Sequence, residues 1–160
     1  MRTLLPLAAQ AAALLKARGE TIAVAESSAG GLVSGALLAV PGASAYYRGG
    51  AVVYTRDARR ALLGIPDAAL DGVPPNSEPF ASLLAEAARD RLGATWGLGE
   101  TGAAGPAGNR YGHPAGRACL AVAGPAARSA TLETGSADRE ANMRLFGAEL
   151  LQLLVAALEG

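Results

Sequence analysis

The chain has one cysteine, one histidine and one lysine, and only 4% of its 160 residues are aromatic. Each scarcity excludes something. A lone cysteine, Cys119, cannot close an intramolecular disulfide, and its run Ala118-Cys-Leu-Ala-Val-Ala123 reads as a strand burying an inert thiol. One cysteine and one histidine cannot furnish a protein-only zinc site, so no metal is expected. Acidic and basic residues balance to a formal net charge of zero, without a basic run or an aromatic-interleaved basic patch. That argues against a dedicated nucleic-acid binder. No apolar run reads as long enough to span a bilayer. The first ten residues resemble the start of a signal peptide. They are followed by Lys16 and Arg18 and run through Gly19 straight into a strand, leaving no spacer for cleavage. A cytoplasmic protein with no membrane partner is expected.

What is present is an ordered chain. Apolar residues make up 51% and charged ones 18%, which suits one folded domain over residues 1–160. A chain of this size buries roughly 70% of its unfolded surface. The patterning predicts a helix over 3–18, a buried strand over 21–25 and a helix over 32–40. A second strand is expected at 51–55, then a short helix capped by Asp57 and ended by Gly64 and Pro66. Asn76-Ser-Glu-Pro opens a helix to about Leu92. A third strand is expected over 94–100, a Gly/Pro loop over 101–116, a hairpin over 117–124 and 127–133, and a closing helix over 138–158. Strands interleaved with helices, ending in a hairpin, predict a three-layer α/β/α sandwich with a mixed, partly antiparallel sheet.

The chemistry concentrates at Glu26-Ser-Ser-Ala-Gly-Gly31, between the first strand and the next helix. A strand ending in a tight turn at a helix start leaves free backbone N–H groups and a positive dipole end. Such a place binds an anion or stabilises an oxyanion beside a nucleophile. Ser27 or Ser28 stands where a nucleophilic hydroxyl is wanted, and Gly30 and Gly31 let a ligand approach the backbone. The long loop supplies a second half. Thr101, Gly102 and Gly105 form a candidate anion-cradling nest, and Glu100 and His113 are titratable groups within or beside it. Gly97-Leu-Gly-Glu-Thr-Gly102 spells G-x-G-x-x-G, but glycines and Pro106 follow instead of a helix, so the dinucleotide fingerprint is rejected.

Taken together, these stretches resemble the CinA C-terminal-domain family. Glu26-Ser-Ser-Ala-Gly-Gly31 is similar to its E-S-x-T-G-G turn. Pro41-Gly-Ala-Ser-Ala-Tyr46, Gly49-Gly-Ala-Val-Val-Tyr54, Leu62-Leu-Gly64, Ser77-Glu78, Thr101-Gly-Ala-Ala-Gly-Pro106 and Asp138-Arg139 follow in the family's order. The resemblance implies a nicotinamide-nucleotide amidase, hydrolysing the carboxamide of nicotinamide mononucleotide to nicotinate mononucleotide and ammonia. It also implies a homo-oligomer that needs no metal or other cofactor. Ser27 is then the nucleophile, and Gly30 and Gly31 shape the turn. Tyr54 lies on the site strand, Thr101 with Gly102 and Gly105 forms the facing wall, and Arg139 meets the substrate phosphate.

One departure matters. The family's Y-[ST]-x-x-x-K sets a lysine five residues after the tyrosine as general base, but Tyr54-Thr-Arg-Asp-Ala-Arg59 carries Arg59 there. Arginine stays protonated and cannot take the serine proton. Two further departures are Ala29 for the family's threonine and Met143 where relatives often carry arginine. A substitute base would be Glu100, His113 or Tyr54. The alternative is a nucleotide-binding homologue without turnover, in which Arg59 is a fixed cation.

Overall fold

The computed structural model describes residues 1–160. In order the elements are α1 (Leu5–Arg18), β1 (Ile22–Glu26), α2 (Leu32–Leu38), β2 (Tyr47–Val52), α3 (Arg56–Leu63), α4 (Glu78–Leu92), β3 (Trp96–Ala103), β4 (Arg117–Ala123), β5 (Arg128–Glu133) and α5 (Arg139–Glu159). The five strands form one sheet in the order β2-β1-β3-β4-β5. β1 is parallel to both neighbours, while β3, β4 and β5 run antiparallel in sequence. This is the expected mixed sheet between two helical layers.

Alternation along the strands sorts the side chains by layer. Ile22, Val24, Trp96, Leu98, Leu120 and Val122 face α1, α2 and α5, in a core of 25 buried residues. Ala23 and Ala25 face the other way, onto Phe80, Leu84 and Ala88 of α4 and Leu63 of α3. α4 lies unusually close to the sheet because β3 presents bare backbone to it. A Cβ at Gly97 would sit 2.0 Å from the Ala85 carbonyl oxygen, and one at Gly99 2.0 Å from that of Ala81.

Several boundaries differ from expectation for identifiable reasons. β2 runs Tyr47–Val52 rather than 51–55, taking Gly49-Gly50 into the strand. A Cβ on Gly50 would meet Ser34 Oγ and Tyr47 Oη, both at 2.5 Å, so these glycines mark close approach and not a turn. Thr55, not Asp57, caps α3 by accepting from the Ala58 N–H at 3.1 Å. β3 extends to Ala103 because Thr101-Gly-Ala103 pairs in register with Arg117–Cys119 of β4. Three residues of the expected loop are therefore strand. α5 also corrects the reading of apolar runs. Within its 21 residues an 18-residue window has a mean hydropathy of 1.3, and the helix meets the length and apolarity of a membrane span. Phe146, Leu150, Leu151, Leu154 and Leu158 of this helix are instead buried in the core.

The close seat of α4 yields a stability prediction. Gly99→Ala forces a methyl group against the Ala81 carbonyl and the Ala85 nitrogen. It should lower the unfolding free energy by about 3 kcal/mol, read as a reduced midpoint in urea. An unchanged midpoint would mean that α4 does not pack as tightly as described.

Candidate active site

The Glu26–Gly31 turn is held by two buried carboxylates. Glu26, at the end of β1 and 1% exposed, accepts from the N–H groups of Gly31 at 3.2 Å, Val33 at 2.9 Å and Ser34 at 3.0 Å. It thereby takes the orphan donors of α2 and meets the positive end of its dipole. Glu100 reaches across from β3, fully buried. Its Oε2 accepts from the Ser27 and Ala29 N–H groups, each at 2.8 Å, and its Oε1 accepts from the Ser28 hydroxyl. The Gly30 N–H donates to the Ser27 carbonyl at 3.2 Å and the Leu32 N–H to that of Ala29 at 3.4 Å.

Nearly every donor that the turn was expected to leave free is therefore taken. From Ser27 to Ser34 the Ser28 N–H alone lacks a partner. The reason is chemical. A buried carboxylate demands several donors, and the turn offers the only clustered set nearby. Glu100 is thus no exposed strand end. Burial is the main influence on its carboxyl and pushes its pKa above the ordinary 4.5. The bonds from Ser28, Ala29 and Ser27 oppose that shift, and the charge of Glu26 adds to it.

Beside the turn lies a cavity of about 180 Å³, lined by Ser28, Tyr54, Gly102, Gly105, Asn109 and Arg139 among others. A Cβ on Gly102 would stand 2.7 Å from Ser28 Oγ, so glycine is what lets this hydroxyl reach Glu100. Arg139, in the first turn of α5, donates to the Gly105 carbonyl at 2.7 Å and approaches the Tyr54 hydroxyl at 3.5 Å. Asn142, one turn further along α5, is fully buried. It donates to the carbonyls of Ala104 and Ser136, both at 2.8 Å, which ties the segment after β3 to the helix. A more open groove of about 260 Å³ lies between α4 and the segment after α3. It has no part of the turn in its lining.

The structure brings together Tyr54, Gly102, Gly105 and Arg139 of the expected site, with Ser28 beside them. Gly30 and Gly31 adopt the left-handed conformations, φ 69° and 95°, that the turn needs. Ser27 is half-buried, and its hydroxyl has no hydrogen-bond partner within the chain. Thr101 falls on the opposite side of β3 from Glu100 and Gly102. It pairs with Cys119, whose thiol packs with Ala81 and Ala85 of α4, so it does not line the cavity with Gly102 and Gly105. Arg59 is also on the α4 side. Its guanidinium lies over the Phe80 ring, 5.3 Å from the centroid, with Nε sealed and unpaired. Burial is the main influence on its pKa, which is lowered. His113 closes a local turn, its backbone N–H donating to Asn109 Oδ1 at 3.1 Å and its ring against the Asn109 amide, also at 3.1 Å. It is not a cavity wall. Sequence reasoning missed Asn109 and Asn142. An asparagine among the apolar residues of the closing helix was the available signal for Asn142.

Known proteins match this arrangement. The model of the CinA C-terminal domain matches residues 4–158. A CinA-like protein of Anaeromyxobacter sp. (strain K) is 45% identical over 146 residues, 91% of this chain and 36% of that relative. One from Gloeobacter violaceus is 45% identical over 119 residues, 74% of this chain and 28% of the relative. The chain thus spans about a third of the length of the curated relatives it matches. A solved competence or damage-inducible protein from Enterobacter asburiae superposes with a TM-score of 0.89 at 29% identity, covering 97% of this chain and 98% of that one. A competence/damage inducible protein from Agrobacterium tumefaciens gives 0.86 at 29% identity, covering 97% and 95%. The class is an α/β sandwich with a mixed sheet. Within it, this chain belongs to the CinA C-terminal domain family.

The raised Glu100 pKa has a consequence for stability. Between 4.5 and the raised native value the folded chain binds more protons than the unfolded one, so stability falls as pH rises through that interval. Glu100→Gln keeps the acceptor and removes the titration. In urea unfolding the wild type should lose stability relative to this variant as the pH is taken up from 4.5. Parallel curves for the two proteins would show that Glu100 does not titrate abnormally.

Proposed function

We propose that the protein is an amidase acting on a pyridine nucleotide, with nicotinamide mononucleotide as the substrate the family resemblance implies. The observation that carries this reading is the convergence on one cavity of a turn hydroxyl, the Arg139 guanidinium and the backbone around Gly102 and Gly105. Amide hydrolysis needs a nucleophile, an acceptor for its proton and donors for the oxyanion. The Glu26–Gly31 turn carries two hydroxyls. Arg139 retains N–H groups beyond those on Gly105 and Tyr54, and its planar fork suits a phosphate. The cavity is below the roughly 300–1,000 Å³ of pockets that engulf a drug-sized ligand. It suits one end of a nucleotide, with the remainder lying across Tyr54, which is 58% exposed.

Arg59 supports a second reading. An arginine stacked on Phe80 in place of the family's lysine gives Ser27 no proton acceptor on that side. A protein in that condition binds the nucleotide without turning it over, as a homo-oligomer in the cytoplasm if it follows the family.

Incubation with nicotinamide mononucleotide should release ammonia steadily, followed by a coupled dehydrogenase assay. Arg139→Ala should raise KM about tenfold with a smaller effect on kcat, as expected for loss of a binding contact. Saturable nucleotide binding by calorimetry, with no ammonia, would establish the second reading instead.

A further inference from the structure

We propose that the nucleophile and general base of this chain are Ser28 and Glu100, one residue along the turn from the serine the family pattern singles out. This deepens the amidase reading and rests on it for the identity of the substrate. Three observations point to the pair. The Ser28 hydroxyl donates directly to Glu100 Oε1, whereas the Ser27 hydroxyl meets no protein acceptor. The base is fixed in turn, because Glu100 Oε2 is gripped by the Ser27 and Ala29 N–H groups at 2.8 Å each. Nucleophile, base and orienting donors therefore stand in the relation that activates a hydroxyl. Finally, Ser28 and not Ser27 lines the cavity that also holds Arg139 and Tyr54.

The E-S-x-T-G-G turn leaves position 28 open, so the pattern itself gives no reason to look there. The loss of the lysine base at Arg59 does. A fully buried glutamate costs stability unless it is paired or hydrogen-bonded; no cation neutralises this one, and its donors all come from the serine turn. Burial is the chief influence on its carboxyl and raises its pKa, which makes the carboxylate a stronger acceptor for the serine proton. Glu26 is the other charged group facing it and acts in the same direction.

The chemistry balances with water as the only co-reactant. Ser28 Oγ bonds to the carboxamide carbon as its proton passes to Glu100 Oε1. The N–H groups of Ala104 and Gly105, on the cavity wall and without partners in the chain, are the donors available to the oxyanion. The C–N bond then breaks, and Glu100 returns the proton to the departing nitrogen, giving ammonia and a Ser28 ester. A water molecule attacks that ester as Glu100 accepts its proton. The C–O bond to Ser28 breaks, Oγ recovers the proton, and the carboxylate product leaves.

Phenylmethanesulfonyl fluoride, which reacts with activated serines, tests the pair without depending on the natural substrate. Peptide mapping by mass spectrometry should place the adduct on Ser28, and Glu100→Gln should slow labelling by about 100-fold, the scale of a general-base contribution. Glutamine preserves the bonds to Ser27 and Ala29, and thermal melting checks that the variant folds. Should it fail to fold, Ser28→Ala replaces it and the adduct must vanish. With nicotinamide mononucleotide, Ser28→Ala should lose at least about 100-fold more turnover than Ser27→Ala. An adduct on Ser27, no adduct, or equal labelling of wild type and Glu100→Gln would overturn the pair. Labelling on Ser28 without ammonia from the wild type would retain the pair and reject the amidase.

Discussion

Two carboxylates without a cation between them organise this molecule. Glu26 and Glu100 are both buried, and each is satisfied only by N–H and O–H groups of the turn that follows β1 and of the start of α2. A charge removed from water requires such company, so the turn has one acceptable shape. The bonds from residues 27, 29, 31, 33 and 34 all converge on those two side chains. The positive-φ glycines at 30 and 31 are what allow the main chain to double back far enough to deliver them. Ser28 and Ala29 of the turn are buried together with the carboxylates that hold it.

The same constraint explains the use of glycine along β3. Gly97 and Gly99 admit α4 on one side of the sheet, and Gly102 admits the Ser28 hydroxyl on the other. Successive residues of one strand thus serve opposite layers. Glu100 and Gly102 belong to the cavity side, while Thr101 between them belongs to the α4 side. A strand so poor in side chains is held by its ladders, to β1 over Trp96–Gly99 and to β4 over Gly97–Ala103.

The sequence made the architecture legible and the site only partly so. The α/β/α layering followed from helix and strand periodicity, and α4 was visible in its capping serine and early proline. β2 and the end of β3 were misplaced because glycine signals a turn or a close approach with equal force, and only tertiary contact decides which. Ser28 was weighed beside Ser27, and Glu100 was noticed, but no sequence rule joins residues 72 positions apart. The donors expected to be free were occupied because the partner carboxylates come from two neighbouring strands, Glu26 from the end of β1 and Glu100 from within β3. The apolar composition of α5 is shared by a membrane helix and a core helix, and packing alone separates the two.

The anchoring of Arg139 and Asn142 has a consequence for the pocket. Arg139 approaches Tyr54 across 85 positions of sequence, and Asn142 holds the segment after β3 from one turn further along the same helix. A helix that packs on the sheet thus completes the cavity wall. A chain in which α5 lifts away loses the Arg139 and Asn142 contacts together, while the strand ladders are untouched. The shape of the pocket is therefore set by how firmly that helix is seated.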